Sequence, residues 1–112
     1  MNIKKEGSPK KYKRNKHLKY EPGTKEYSRN ASLKYMYGIT LDDYNNLYVE
    51  QKGCCDICNK HQSELKAGLC VDHNHTTGKV RGLLCVNCNQ AIGKLYENVE
   101  FMENAIKYIL KN

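Results

Sequence analysis

Two cysteine pairs, Cys55-x2-Cys58 and Cys85-x2-Cys88, bracket the run Asp72-His73-Asn74-His75, and an amide side chain, Asn89, directly follows the last cysteine. Each residue type has its own chemistry. Two C-x2-C pairs supply four soft thiolates to one tetrahedral zinc ion, and residues 59 to 84, 26 in all, form the loop such an ion would close. Cys54 could stand in for Cys55 as the first ligand, but the x2 spacing favours Cys55. Asp72 and the side-chain oxygen of Asn89 are hard donors suited to a single Mg²⁺ or Mn²⁺ ion that keeps several of its waters. A neutral imidazole accepts a proton from water near pH 7, which makes His73 the candidate general base. Hydrolysis of a phosphodiester needs these groups. A water must be made nucleophilic, the pentavalent phosphate relieved of charge and the leaving 3′ oxygen stabilised.

The surrounding sequence must bring these groups together. Thr76-Thr77-Gly78 reads as a turn between two short strands, residues 69 to 73 and 79 to 84, in which Val80, Leu83 and Leu84 favour extended structure. After Cys85 and Cys88 a helix is expected to carry Asn89, Ala91, Ile92 and Leu95, shortened or closely packed at Gly93. Successive side chains of a regular strand point to opposite faces, so Asp72 and His73 serve one phosphate only if the strand ends or bulges there; an irregular backbone is predicted at 72 to 74. Zinc bound by Cys88 would fix the register of Asn89 against the hairpin, which makes the zinc structural and the catalytic ion separate.

Upstream, Thr40 reads as a helix N-cap with Asp43 in the capping-box position and Ile39 and Tyr44 as a staple, the turn spacing running through Leu47, Tyr48 and Gln51 to Gly53. Downstream, a helix starting near Asn98 places Val99, Met102, Ala105, Ile106 and Ile109 on one face, a stripe read as core by default and as a dimer surface otherwise. Cys70 is expected to be a small buried side chain, and His17 and His61 surface residues.

With 112 residues the chain is expected to form one small domain whose core alone gives a thin margin of stability, so a metal staple is physically sensible. No run approaches the roughly 18 apolar residues that span a bilayer, and no apolar segment follows Lys4 and Lys5 to read as a secretory signal. A reducing, cytoplasmic setting is expected, with no membrane partner, and there paired cysteines are thiolate ligands rather than disulfides. The net charge of +7 is uneven: residues 1 to 36 hold eleven Lys or Arg and three Glu, a net of +8, while residues 37 to 112 hold eight against nine acids, a net of −1. Residues 1–36 are therefore read as a basic, flexible or partly helical arm whose Lys10, Lys11, Lys13, Arg14 and Lys16 neutralise phosphates of DNA, with Tyr12 or Tyr20 available to stack on a base; a solvated tail that aids solubility is the alternative. Residues 37–112 form the metal-bound domain.

The run from Asp72 to Cys85 with Cys88-Asn89, and the lead-in Tyr37-Gly-Ile-Thr-Leu-Asp-Asp-Tyr44 reaching Gln51 and Cys55, resembles the phage recombination endonuclease VII group of His-Me finger (ββα-metal, HNH-like) nucleases over roughly residues 36 to 96. The resemblance implies a small α+β zinc-stabilised domain with a ββα-metal core, flanking helices and the basic arm. It implies that Cys55, Cys58, Cys85 and Cys88 hold zinc, that Asp72 and Asn89 bind the catalytic ion, that His73 activates water, and that DNA is cut to leave 5′-phosphate ends. If phage-encoded, the protein would act in the host cytoplasm. His75 is left between phosphate contact and bracing the hairpin, and Arg81 between clamping a phosphate and pairing with a site carboxylate. Two departures are visible: the family's acidic position three residues after Asn89 is Ile92 here, and only 24 residues follow Cys88, so four-way-junction resolution is not carried over. The rival from another class is a non-catalytic zinc-finger DNA-binding protein. A homodimer would suit two-strand cleavage.

Overall fold

A computed structural model describes residues 19–112. The lysines and arginine at 10, 11, 13, 14 and 16, together with Tyr12 and His17, lie outside the described residues, so their expected contacts with phosphate are taken up below only as a proposal. Among the described residues the chain forms a small α+β domain with four α-helices and one two-stranded antiparallel sheet. None of these helices is long and apolar enough to cross a membrane.

Helix α1 (Lys25–Tyr37) gives the partly helical arm a definite extent. Thr24 caps it by accepting the Tyr27 N–H at 3.1 Å, and the chain leaves it through Gly38, whose N–H reaches the Lys34 carbonyl at 3.0 Å. It buries one residue, Leu33, which explains why no clean apolar period marks it in the sequence. Helix α2 (Leu41–Glu50) starts as the sequence predicts: the Thr40 hydroxyl accepts the Asp43 N–H, and the Asp43 carboxylate accepts the Thr40 N–H, at 3.0 and 2.9 Å. The two helices are tied at their junction, where the Leu41 N–H donates to the Asn30 side chain at 2.7 Å, and Tyr20 and Lys19 both reach the Asp42 carboxylate.

A single 3₁₀ turn, Gln62–Glu64, interrupts the loop before strand β1 (Cys70–His73), which pairs with β2 (Val80–Leu84). Helix α3 (Val86–Lys94) follows at once, capped by Cys85, and α4 (Val99–Ile109) is capped by Asn98. The core is small: Leu33, Leu41, Tyr44, Leu69, Val71, Leu83 and Leu84 with the ligand-spaced Cys55 and Cys85. Two of these nine core residues are cysteines of the paired motifs, so the sulfur cluster is part of the core itself.

Two hydrogen-bonding side chains join α2 to the hairpin. The buried Tyr44 hydroxyl donates to the Leu69 carbonyl at 2.7 Å, just before β1. The Gln51 amide does what a third strand would do: Oε1 accepts the Leu83 N–H at 2.9 Å, while Nε2 donates to the carbonyls of Leu83 at 3.0 Å and Cys54 at 2.7 Å. Gly82 permits this approach, since a Cβ there would stand 3.1 Å from Gln51 Oε1.

One default expectation is overturned. The stripe on α4 is not core: no residue of that helix is buried, and Val99, Ile106 and Ile109 are 68, 58 and 74% exposed. Periodicity correctly reported an apolar face but carried no information on whether anything covers it.

Candidate metal centre and catalytic site

The four cysteines of the paired motifs converge. Sγ atoms of Cys55, Cys58, Cys85 and Cys88 all lie within 4.8 Å of one another, and those of Cys58 and Cys85 are 3.8 Å apart. A tetrahedron with Zn–S bonds of about 2.3 Å has an edge of about 3.8 Å, so zinc fits this donor set in both chemistry and size. Local structure builds the site from both sides. The Ile57 N–H points at the Cys55 sulfur and the Cys88 N–H at the Cys85 sulfur, each at 3.4 Å, so Cys85 is at once a candidate ligand and the cap of α3. Burial disfavours a thiolate at Cys55, yet backbone N–H donors from Cys58, Cys85 and Ile57 outweigh it and draw its pKa down to about 6. Cys88 is pushed up to about 12, by burial first and then by its sulfur neighbours. Four sulfurs at this separation cannot all ionise without a cation between them, and a divalent ion removes that conflict. Cys54 stands apart, its thiol 3.5 Å from the Lys52 carbonyl, and it is Cys55 that joins the cluster as the candidate first ligand. Burial also pushes up the pKa of Cys70, which lies outside the cluster.

At the other end of the hairpin the backbone is irregular where the sequence predicts. Asp72 faces Gly82 and His73 faces Val80, so the register shifts between Asp72 and His73, leaving Arg81 as the extra residue of the partner strand; β1 ends at His73 as well. The turn beyond is held by Asn74, whose side-chain oxygen accepts the N–H groups of Thr76 and Thr77 at 2.8 and 3.0 Å, while Gly78 takes a left-handed φ of 80°. Asn74 is thus a turn builder, and the rings of its neighbours His73 and His75 pack with centroids 4.5 Å apart, tilted 48° to each other. The Tyr37 ring, from the last residue of α1, also lies near His73, with centroids 5.8 Å apart.

Asp72 is the one polar or charged residue buried among those described, and both its oxygens are held by Arg81: Nε to Oδ2 at 2.8 Å and Nη2 to Oδ1 at 3.2 Å. Of the two roles open to Arg81, the structure displays pairing with a site carboxylate. The same Nη2 donates to the His73 carbonyl at 3.3 Å and to Glu97 Oε1 at 3.0 Å, and the other Glu97 oxygen is 3.1 Å from His75 Nε2. Asp72 first, then Glu97, raise the pKa of Arg81 and fix its charge. The network therefore unites Asp72, His73, His75 and Arg81 with Glu97 and Tyr37, two residues for which the sequence carries no chemical signal. Asn89 lies half-buried in the first turn of α3, its N–H bonded to the Cys85 carbonyl at 3.0 Å, on a helix that packs against both strands.

Residues 30–111 match the profile of the recombination endonuclease VII family. The chain belongs to that family. Similar proteins include a "Gene 59 protein" of Mycobacterium phage L5, 47% identical over 75 residues, and a "Gene 59 protein" of Mycobacterium phage D29, 45% identical over 76. The aligned parts take up 66 and 67% of this chain and 45 and 46% of those relatives, so the chain spans about half the length of the relatives it matches. The endonuclease VII match begins inside α1 and runs through α4, and so takes in Tyr37 and Glu97 as well as the cysteine cluster and the Asp72-His73 hairpin.

Proposed function

We propose that this protein is a metal-dependent DNA endonuclease of the His-Me finger (ββα-metal, HNH-like) type, cutting phosphodiester bonds to leave 5′-phosphate and 3′-hydroxyl ends. The observation that carries the reading is Asp72-His73 at the shifted end of a hairpin that leads directly into a helix bearing Asn89 beside the cysteine cluster. Family membership supports the same chemistry.

In this reading His73 takes the proton from the attacking water, its ring steadied by contacts with Tyr37 and His75 and its backbone carbonyl tethered by Arg81. Asp72 and Asn89 would hold Mg²⁺ or Mn²⁺, which, when bound, supplies charge relief to the phosphate and to the leaving oxygen. Their oxygen donors fit such an ion in type. Asp72 differs from the cysteines in that the protein's own arginine already balances its charge. Zinc on Cys55, Cys58, Cys85 and Cys88 would hold α3 in register with the hairpin. Lys10, Lys11, Lys13, Arg14 and Lys16 would grip the DNA backbone, positioning without specifying sequence. Cleavage of both strands by a homodimer would need a face for self-association, and the exposed stripe of α4 offers an apolar one.

The full engagement of Asp72 by Arg81 is the observation on the side of a non-catalytic zinc-finger DNA-binding protein. The two readings separate on supercoiled plasmid incubated with Mg²⁺. Nicking by the wild type, and its loss in a folded, DNA-binding His73→Ala variant, is the expected result. Absence of nicking by either protein would sink the enzyme reading.

A further inference from the structure

Arg81 carries one charge and serves two carboxylates. Three of its contacts go to Asp72 and Glu97: 2.8 and 3.2 Å to the two Asp72 oxygens and 3.0 Å to Glu97 Oε1. Glu97 arrives there through an unusual backbone. In the turn between α3 and α4, Tyr96 and Glu97 adopt φ of 57° and 51° in succession, although neither is glycine. Left-handed conformations strain such residues, whose Cβ crowds the following carbonyl oxygen. The turn is held by the Tyr96 and Glu97 N–H groups on the carbonyls of Gly93 and Ile92, and the Glu97 side chain, 23% exposed, divides its two oxygens between Arg81 and His75. Strain of this kind persists where the surroundings over-determine it, and here what surrounds the carboxylate is the hairpin end.

We propose that Glu97 is a positioning residue that acts on Asp72 through Arg81. The inference rests on the reading of Asp72 as a divalent-ion ligand. A cation reaches an Asp72 oxygen only as Arg81 releases it, and Glu97 is the anionic partner that takes up the guanidinium when it does. Arg81 thereby stays at the site, beside the His73 carbonyl, instead of swinging into solvent. Without the Glu97 charge, the whole ionic pairing of Arg81 falls on Asp72, and the carboxylate becomes harder to free. Because Glu97 also holds His75, the same side chain links the arginine exchange to the ring packed beside the candidate base.

The test is Mn²⁺ binding to the zinc-loaded protein without DNA, followed by the electron paramagnetic resonance signal of the free ion, with zinc content and thermal melting checked for each variant. Wild type is expected to bind Mn²⁺ at a site abolished by Asp72→Asn. Glu97→Gln should weaken that binding about tenfold, the scale of one charge-assisted hydrogen bond. Arg81→Gln should bind at least as tightly as wild type, and adding Glu97→Gln to it should change nothing further. Equal weakening by Glu97→Gln with and without Arg81 would show that Glu97 acts through its field alone and would overturn the proposal, as would no weakening at all. Weaker binding by Arg81→Gln overturns it independently of how Glu97→Gln folds. Absence of any Asp72-dependent Mn²⁺ site in wild type would instead remove the underlying reading of Asp72, and the proposal with it.

Discussion

The two ends of the hairpin present ligand-type side chains in opposite states. At the cysteine end four sulfurs lie within 4.8 Å of each other, and a divalent ion among them would relieve the repulsion between thiolates. At the other end Asp72 is buried against Arg81 and needs no ion to be stable. The difference separates two ways of preparing for a metal. A site made only of mutually repelling donors makes the metal part of the fold. If Asp72 holds the proposed catalytic ion, a carboxylate already balanced by a protein cation leaves that metal free to come and go with substrate.

The sharpest way to break this comparison is to strip the zinc. Structural zinc contributes apparent free energies of about 10–16 kcal/mol in small fingers, as large as the whole stability of a domain, so chelation or Cys58→Ser should abolish the cooperative melt and the helical circular dichroism. A metal-free protein that still melts cooperatively would end the distinction. Mg²⁺ withdrawal should leave the same melt unchanged while stopping cleavage. His73→Ala should lower single-turnover cleavage by about 10²–10⁴ with the melting temperature preserved, placing its cost in chemistry and not in folding. Between the two ends stands Gln51. Gln51→Ala strands the Leu83 N–H and leaves the Leu83 carbonyl with the Asp56 N–H alone, and urea unfolding should show a loss of about 1–3 kcal/mol with zinc still bound.

The smallest expected effect comes from an exposed ion pair at the start of α2. Lys19 and then Tyr20 hold the Asp42 carboxyl below its ordinary pKa. A carboxyl depressed in the folded state stabilises above its unfolded pKa, and that contribution disappears as pH falls through the folded value. Asp42→Asn should therefore lower the melting temperature slightly at pH 7 and lose even that effect in acid below the carboxylate range. An equal difference from wild type at both extremes would exclude the ion pair as its source.

What was legible in the sequence follows from how local its cause is. The capping box of Thr40 and Asp43, the cysteine pairs, the Thr76-Thr77-Gly78 turn and the irregularity at Asp72 are set by neighbours within a few residues, and each has a physical signature at that range. Helix α1 was poorly legible because it buries only Leu33 and its other positions are charged or polar enough to read as arm. Tyr37 and Glu97 were invisible as site residues for a different reason. Glu97 lies 25 residues after Asp72 and meets Arg81 only because two non-glycine residues turn left-handed, a choice that no residue type announces. The stripe of α4 is legible as an apolar face but its default reading as core fails, since spacing describes one surface and burial requires two; the dimer-surface alternative stays open.

The extra residue on β2 makes the pairing of Asp72 with Arg81 a matter of counting as much as of chemistry. Deleting one residue between Gly78 and Val80 would keep every cysteine, histidine and aspartate in the string and so preserve almost all resemblance to the family. The strands would still zip together, but either the ladder would straighten or every partner beyond the turn would slide by one place. A genome carrying such a lesion would encode a protein that any motif search accepts and whose hairpin no longer aims its side chains at a common point.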